Sequence, residues 1–404
     1  MGLWSALTAR KMSSLDLFRL IGGSRQSSAG PTVTTASALE VSTVLACVRV
    51  LANGVAQVPF RVYRSTGDSR KVAVDHPVNG LLYRQPNKWQ TAFDFRHTLM
   101  THLALTGNAY VFVGRVGIKR EARFLYPIDP TRVSLRRDDD AGPITYRVTG
   151  QSGQARDFSE DTIWHVRGLS WNGWAGLDAL KMARNAIGLA QAIEDTQAAM
   201  QKSGGRTSGV LSVDKTIGPE RFGALAAWLD RHAPGGDRDG KPLIMDSGMR
   251  FQSMQMTGVD AQQQETRRHQ VEEICRGFGV LPIMVGHYDK SATFASAEQM
   301  FLAHVVHTLM PWYERLEQSA DVNLLTEDDR AAGYYTKFSP NALMRGAATD
   351  RAEYYTKALG SGGHGTAWMT PNEIRSLDEL DPIAGGDALP AGTAPGGAPS
   401  GNGG

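Results

Sequence analysis

The chain has 404 residues and a mass of 43.8 kDa. With 41% hydrophobic residues and 44 glycines it can bury two or three ordinary cores. Lys and Arg number 43 against 41 Asp and Glu, and a formal charge of +2 excludes a histone-like or repressor-like binder whose affinity comes from neutralising many phosphates.

Residues 22–37 are rich in Gly, Ser, Thr and Ala, as is the tail from Ala384, and both read as mobile ends. Val41, Val44, Leu45, Val48, Leu51, Ala52 and Val55 recur at three- and four-residue steps and predict a helix that stops before Pro59. A second helix is expected over about Phe93 to Leu105. Short runs then follow, Ala109–Val113, Phe124–Tyr126, Arg132–Leu135, Ile144–Val148 and Ile163–Val166, and their Gly, Pro and Asp separators predict antiparallel β structure. Leu177 to Ile193 define a long helix ending near Ser203-Gly204-Gly205. Next come a strand at Gly209–Val213, a helix at Pro219–Arg231, and strands at Pro242–Met245 and Arg250–Met254. The helix Ala261–Phe278 is polar on every face over Gln262–Arg268 and apolar on one stripe at Val271, Ile274, Cys275 and Phe278. The stripe Met300, Phe301, His304, Val305, Thr308, Leu309, Trp312, Leu316 runs through Pro311, where a kink is expected. A strand near Tyr334–Phe338 and helices at about Ala347–Leu359 and Pro371–Leu380 complete an α+β chain.

The longest uncharged stretch, His97 to Gly114, carries two His, an Asn and several Thr, so no membrane-spanning helix is expected. Cys47 and Cys275 are the only cysteines, a count that excludes a disulfide scaffold or thiolate zinc site and fits assembly in a reducing cytoplasm. The start Met1-Gly2-Leu3-Trp4-Ser5-Ala6 fits neither myristoylation nor a cleaved leader. Phosphate-loop, zinc-helix and nucleophile-elbow motifs are absent. Gly360-Ser-Gly-Gly-His-Gly365 matches a dinucleotide pattern in letters but follows a helix instead of a strand, so it reads as a loop. Asp138–Asp140 read as a solvated hairpin turn, and His304, His307 and His165 as packing histidines in preference to metal ligands. No catalytic constellation, metal or cofactor is expected.

Several strings in order carry a resemblance: Ala46-Cys-Val-Arg-Val50 with Val58-Pro-Phe60; His76-Pro77, Leu81-Leu82 and Pro86-Asn87; Thr106-Gly-Asn-Ala-Tyr110; Leu125-Tyr-Pro-Ile-Asp-Pro130; Asp161-Thr-Ile-Trp-His165; Glu273-Ile-Cys-Arg-Gly-Phe-Gly-Val280; and Thr370-Pro-Asn-Glu-Ile-Arg375 before Gly385-Gly-Asp387. In this order and spacing the chain, from Val41 to Asp387, resembles the portal proteins of long-tailed double-stranded DNA phages, a family also found in gene transfer agents. It departs at Leu281, where a second proline is common, and at a longer Gly-rich insertion, Ser361–Gly365.

The resemblance implies a portal fold of wing, stem, clip and crown, assembled as a ring of about twelve copies around a channel that DNA traverses. By position, 1–34 would be a flexible N-terminal segment, 35–177 the wing, 178–204 the first stem helix and 205–258 the clip. Residues 259–279 would be the second stem helix, 280–296 the tunnel loop, 297–345 the kinked helix and wing return strand, 346–383 the crown, and 384–404 a disordered tail. The stem wall would include Gln263, Glu265, Arg267 and Arg268. The tunnel loop would carry Ile283, Met284, His287, Tyr288, Asp289, Lys290 and Thr293, with Ile283–Val285 buried and the following polar run exposed. Implied partners are further copies, the major capsid protein, the terminase large subunit and then the head-tail adaptor protein, and double-stranded DNA without sequence specificity. No membrane is implied, and the place of action is the portal vertex of a virion assembled in the bacterial cytoplasm. Without the resemblance, a DNA-processing enzyme with an unrecognised carboxylate site and a monomeric adaptor both stay open.

Overall fold

A computed structural model describes residues 27–66, 69–118, 120–139, 142–202, 209–212, 218–232, 250–253, 259–287, 294–340, 348–360, 366–377 and 382–390. The chain divides into two compact units, Met1–Lys337 and Phe338–Gly404.

The first unit opens with a reciprocal Thr34–Ser37 capping box on α1 (Thr35–Glu40). Helix α2 (Ser42–Ala56) buries Val44, Cys47, Val48, Leu51, Ala52 and Val55, the stripe read from the sequence. Strands β1 (Phe60–Thr66) and β2 (Ser69–Val72) pair antiparallel. His76 caps α3 (Pro77–Tyr83), whose first turn holds Pro77, the position where a missing N–H costs nothing. A Thr91–Asp94 capping box starts α4 (Ala92–Thr106), and Gly107 ends it in the left-handed region at φ 68°. Arg96 of α4 is buried and donates to Ala56 O through Nε and Nη2 and to Leu82 O through Nη1, so one guanidinium closes the C-terminal ends of α2 and α3.

Six strands follow: β3 (Asn108–Val116), β4 (Glu121–Ile128), β5 (Val133–Arg136), β6 (Thr145–Thr149), β7 (Ala155–Phe158) and β8 (Ile163–Arg167). They form two antiparallel sheets, ordered β4-β3-β8 and β5-β6-β7. Tyr110, Ile144, Tyr146, Ile163 and Trp174 pack in a shared core. Beyond this region come α5 (Ala179–Lys202), β9 (Gly209–Ser212), α6 (Pro219–His232) and β10 (Arg250–Ser253), with β9 and β10 antiparallel. The strand expected at Pro242–Met245 lies outside the described residues. Helix α7 (Val259–Phe278) packs on α5 and α2. Then follow α8 (Phe294–His304), a π-helical segment (Val305–Leu309), α9 (Met310–Leu324), α10 (Glu327–Ala331) and β11 (Tyr334–Phe338), which lies beside β1 in the order β11-β1-β2.

Two expectations about the ends are corrected. Ser27 and Val33 are buried and Ser28 hydrogen-bonds Asn185 of α5, so residues 27–34 are packed. The cause is Gly188: any Cβ there would overlap the Ser27 side chain, so the glycine opens a notch on α5 that the segment fills. In the second unit, Thr370 and Glu373 cap α12 (Pro371–Leu377), which follows α11 (Ala348–Ala358). Asn372 of α12 donates to Ile383 O and Asp387 Oδ1 and accepts from Ile383 N, tying down the start of the expected tail through Asp387. Residues 391–404 lie outside the described residues.

Candidate channel wall and tunnel segment

Helix α5 is positioned by a backbone junction at its N-terminal end. Gly168 N donates to Gly107 O at 2.7 Å, and Leu177 N donates to Leu169 O at 2.6 Å. Asn108 bridges both sides, its Oδ1 accepting from Gly176 N at 2.7 Å and its Nδ2 donating to Gly176 O at 3.0 Å. His165 is buried and sits at 3.0 Å from Asn108 Oδ1 through Nε2, which identifies Nε2 as the protonated nitrogen and leaves Nδ1 to face the Tyr146 hydroxyl at 3.4 Å. Burial holds its pKa well below the ordinary histidine value. The packing role read for His165 therefore has a specific content: it orients Asn108, which clamps the turn between β8 and α5.

Along α7, Glu265, Thr266, Arg267, Arg268 and His269 are exposed, whereas Gln270, Ile274, Cys275 and Phe278 are buried. This is the wet-to-packed change read from the sequence. Arg267 pairs with Glu194 of α5 at 4.0 Å, and both side chains are about half exposed, so the pair adds little to stability. Glu265 and Arg268 face solvent, and Gln263 lies in the first turns of α7. The sulfur of Cys275 lies 3.8 Å from that of Cys47 on α2, a pairing that 228 positions of separation conceal.

After α7 the chain makes a four-residue 3₁₀ turn, Pro282–Val285, closed by Gly286 at φ 81°. Ile283, Met284 and Val285 are half-buried, which corrects the expectation of full core burial. A single turn meets α2, α7 and α8 with part of its surface only, and the rest stays uncovered within one chain. His287 Nε2 lies 3.6 Å from Glu272 Oε1 of α7. Tyr288, Asp289, Lys290 and Thr293 lie outside the described residues, and helix α8 already starts at Phe294, two residues before the expected end of the loop at 296.

The stripe through Pro311 is interrupted just before the proline. Five residues, Val305–Leu309, adopt π-helix, with Met310 N donating to Val305 O, and Pro311 falls in the first turn of α9. A proline ring collides with the carbonyl four residues back, here that of His307, and widening the turn relieves the collision. Gly54 of α2 lies directly against Leu309: a Cβ there would come within 2.7 Å of Leu309 Cδ2. Tyr313 of α9 donates its hydroxyl to Gly54 O at 2.8 Å. His304 is buried, with its pKa lowered by desolvation, while His307 is exposed, so the two do not converge.

Asp138 is exposed and pairs with Arg136 at 3.1 Å, as a solvated turn requires. Gly360 follows α11 at φ 66° as a helix stop. Among the described residues there is no group of three or more His, Cys, Asp or Glu placed to hold a metal, and no helix long and apolar enough to cross a membrane.

A family model described as phage portal protein matches residues 42–379. The portal protein of Enterobacteria phage HK97 is 29% identical over 352 residues, which span 86% of this chain and 81% of that protein. The probable portal protein of Streptomyces phage phiC31 is 28% identical over 411 residues, spanning 96% and 87%. The fold is similar to that of a chain in the neck of a native gene transfer agent particle computed with C12 symmetry, at TM-score 0.56, 20% identity and coverage of 91% and 99%. Over residues 42–379 this chain belongs to the phage portal protein family, a structural family, and its role is that of a head–tail connector.

Proposed function

We propose that about twelve copies of this chain close into a ring at one vertex of a capsid and form the channel through which double-stranded DNA is packaged and later ejected. The observation that carries the reading is the family match across 42–379, nearly the whole described chain. One structural feature supports it independently. The segment from α8 into α9 leaves Met300, Phe301, Leu302, Val306 and Met310 each at least 40% exposed. A single chain has no use for so much uncovered apolar surface in one segment, and a neighbouring copy would cover it.

In the ring, α5 and α7 are the stem, residues 205–258 the clip on which the terminase large subunit and then the head-tail adaptor dock, and 280–293 the tunnel loop. The crown, 346–383, faces the capsid interior beside the major capsid protein, and assembly takes place in the host cytoplasm. A formal charge of +2 suits a conduit, because a ring of strong phosphate grips would stall a translocating duplex. Energy for translocation comes from the docked motor. The decisive measurement is solution mass under capsid-assembly conditions, backed by negative-stain images. A 43.8 kDa monomer and a ring of about half a megadalton separate cleanly, and compact monomers alone would overturn the reading.

A further inference from the structure

Cys47 lies on the buried stripe of α2 and Cys275 on that of α7, and neither is measurably exposed. Their sulfurs face each other at 3.8 Å across the interface that joins the helix beside the wing strands to the second stem helix. The surroundings are apolar, with Val44, Val48 and Leu51 on one side and Ile274 and Phe278 on the other. Packing alone would be served by an Ala or Val at either position. Two thiols in contact add a chemistry that packing does not call for.

Closing from 3.8 Å to a disulfide bond length requires about 1.8 Å of approach, within the reach of side-chain rotation at two opposed cysteines. The pair is also chemically uneven. The hydrogen bond with Cys275, aided by burial, drives the Cys47 thiol far up, whereas that same hydrogen bond pulls the Cys275 thiol down. One sulfur can ionise while the other keeps its proton in the shared hydrogen bond, and Cys275 takes the first role because it lies on the helix whose neighbouring residues are exposed. Glu272, Arg276 and Gly277, on the same turns as Cys275, are exposed, so solvent reaches the surface of α7 beside the pair.

We propose that Cys47 and Cys275 are a redox clasp, a dithiol while the chain folds and assembles and a disulfide once a hydroperoxide reaches it. The thiolate of Cys275 attacks the distal oxygen of the hydroperoxide. The O–O bond breaks, and the sulfur becomes a sulfenic acid as the departing oxygen takes a proton. Cys47 Sγ then attacks that sulfur, the S–S bond forms, and the sulfenic oxygen leaves as water with the Cys47 proton. Two thiols are oxidised by two electrons and one hydroperoxide is reduced. The disulfide would tie α2 to α7 and close a loop across 228 positions, the long-loop regime in which a cross-link restricts the unfolded chain most. The timing, assembly first and oxidation after release, rests on the virion reading above; the chemistry does not.

The test uses the full-length chain, freed of reductant, treated with a small excess of hydrogen peroxide, quenched with catalase, alkylated with iodoacetamide in denaturant and digested. We expect the Cys47 and Cys275 peptides joined within one chain, about 2 Da lighter than their reduced sum, and separable by phosphine. The oxidised protein should migrate faster on a non-reducing gel and melt a few degrees higher than the reduced protein. Cys47→Ala and Cys275→Ala should abolish both effects. Should either variant fold poorly, the comparison of oxidised with reduced wild type decides without a substitution. Full alkylation of both cysteines, sulfinic acid without a cross-link, exclusively interchain bonds, or an intrachain disulfide that leaves the melting point unchanged or lower would each overturn the proposal. Solution mass, read on the same samples, reports the ring separately, so failure of the clasp and failure of the ring are distinguishable.

Discussion

Replacing Gly107 by alanine should be among the most damaging single-methyl changes available to this chain. The residue stands at φ 68°, so an L side chain there carries the left-handed penalty of about 1 kcal/mol. The larger cost is steric. A Cβ at Gly107 would sit 2.7 Å from the carbonyl carbon of Leu177 and overlap its oxygen, and both atoms are backbone, so no rotamer change relieves the contact. Leu177 would have to retreat together with Gly176. That retreat breaks the Leu177–Leu169 bond and both bonds between Asn108 and Gly176, all between 2.6 and 3.0 Å. At about 1 kcal/mol for each of these bonds, and with the conformational term added, the substitution costs about 4 kcal/mol.

Gly117→Ala isolates the steric part. Gly117 has φ 79° in the turn between β3 and β4 and nothing within 4 Å of its Cβ direction, so it bears only the penalty of about 1 kcal/mol. Urea denaturation followed by tryptophan fluorescence compares the two, since Trp164 and Trp174 are buried in the same region. Gly107→Ala should lower the midpoint several times as far as Gly117→Ala. Equal shifts would show that the junction between β8 and α5 yields freely, and the account of how α5 is positioned would fall.

Arg96→Met should destabilise the chain by about 3 kcal/mol, since it leaves Ala56 O and Leu82 O without their buried donor; a urea midpoint within error of wild type would contradict that. Burial lowers the pKa values of His102, His165 and His304 in the folded chain. As pH falls below about 6.5 the unfolded chain binds protons that these three folded histidines refuse, so stability should decline by up to about 1.4 kcal/mol per pH unit for each until its folded pKa is reached. Comparing midpoints at about pH 7.5 and 5.5 in wild type and His165→Gln checks the sign, because the variant should lose one proton's share of the slope. Small neutral residues at Tyr288, Asp289 and Lys290 should preserve ring assembly while changing DNA packaging or retention; loss of the ring, or packaging and retention like wild type, would refute the tunnel-loop assignment.

The long helices announced themselves because one apolar face at helical spacing suffices to define them, as in the stripe of α2 and the polar-to-apolar change in α7, whereas the short α1, α3 and α10 were missed because so few residues show no period. Strands β1, β2 and β7 were missed. Arg61, Arg64, Arg70 and Lys71 break the alternation of the first two, and β7 has no buried residue to reveal it. The half-burial of Ile283–Val285 was illegible because composition cannot say how many sides of a turn find a partner. The packing of residues 27–34 was hidden for a different reason. Their composition is that of a loose end, and the cause of their order, Gly188, lies far along the chain. The Cys47–Cys275 contact and the Gly107–Leu177 approach are long-range in the same way, and periodicity carries no information about which two stripes meet.

Several of the strings that carry the resemblance turn out to be devices of chain direction. His76 caps α3 beside Pro77, and Asn87 Oδ1 accepts from Trp89 N and Gln90 N while its Nδ2 donates to Leu125 O. Gly107 and Asn108 hold the turn that leads into α5, Asp129 caps the 3₁₀ turn at Pro130, and Thr370 with Glu373 caps α12. Each of these side chains satisfies backbone groups at a point where the chain must change direction. A connector acts by holding a channel of fixed shape while other molecules move. The residues that matter most to its function are then the ones that fix the angles between its helices, and substitutions at such corners should impair assembly before they impair any contact with DNA.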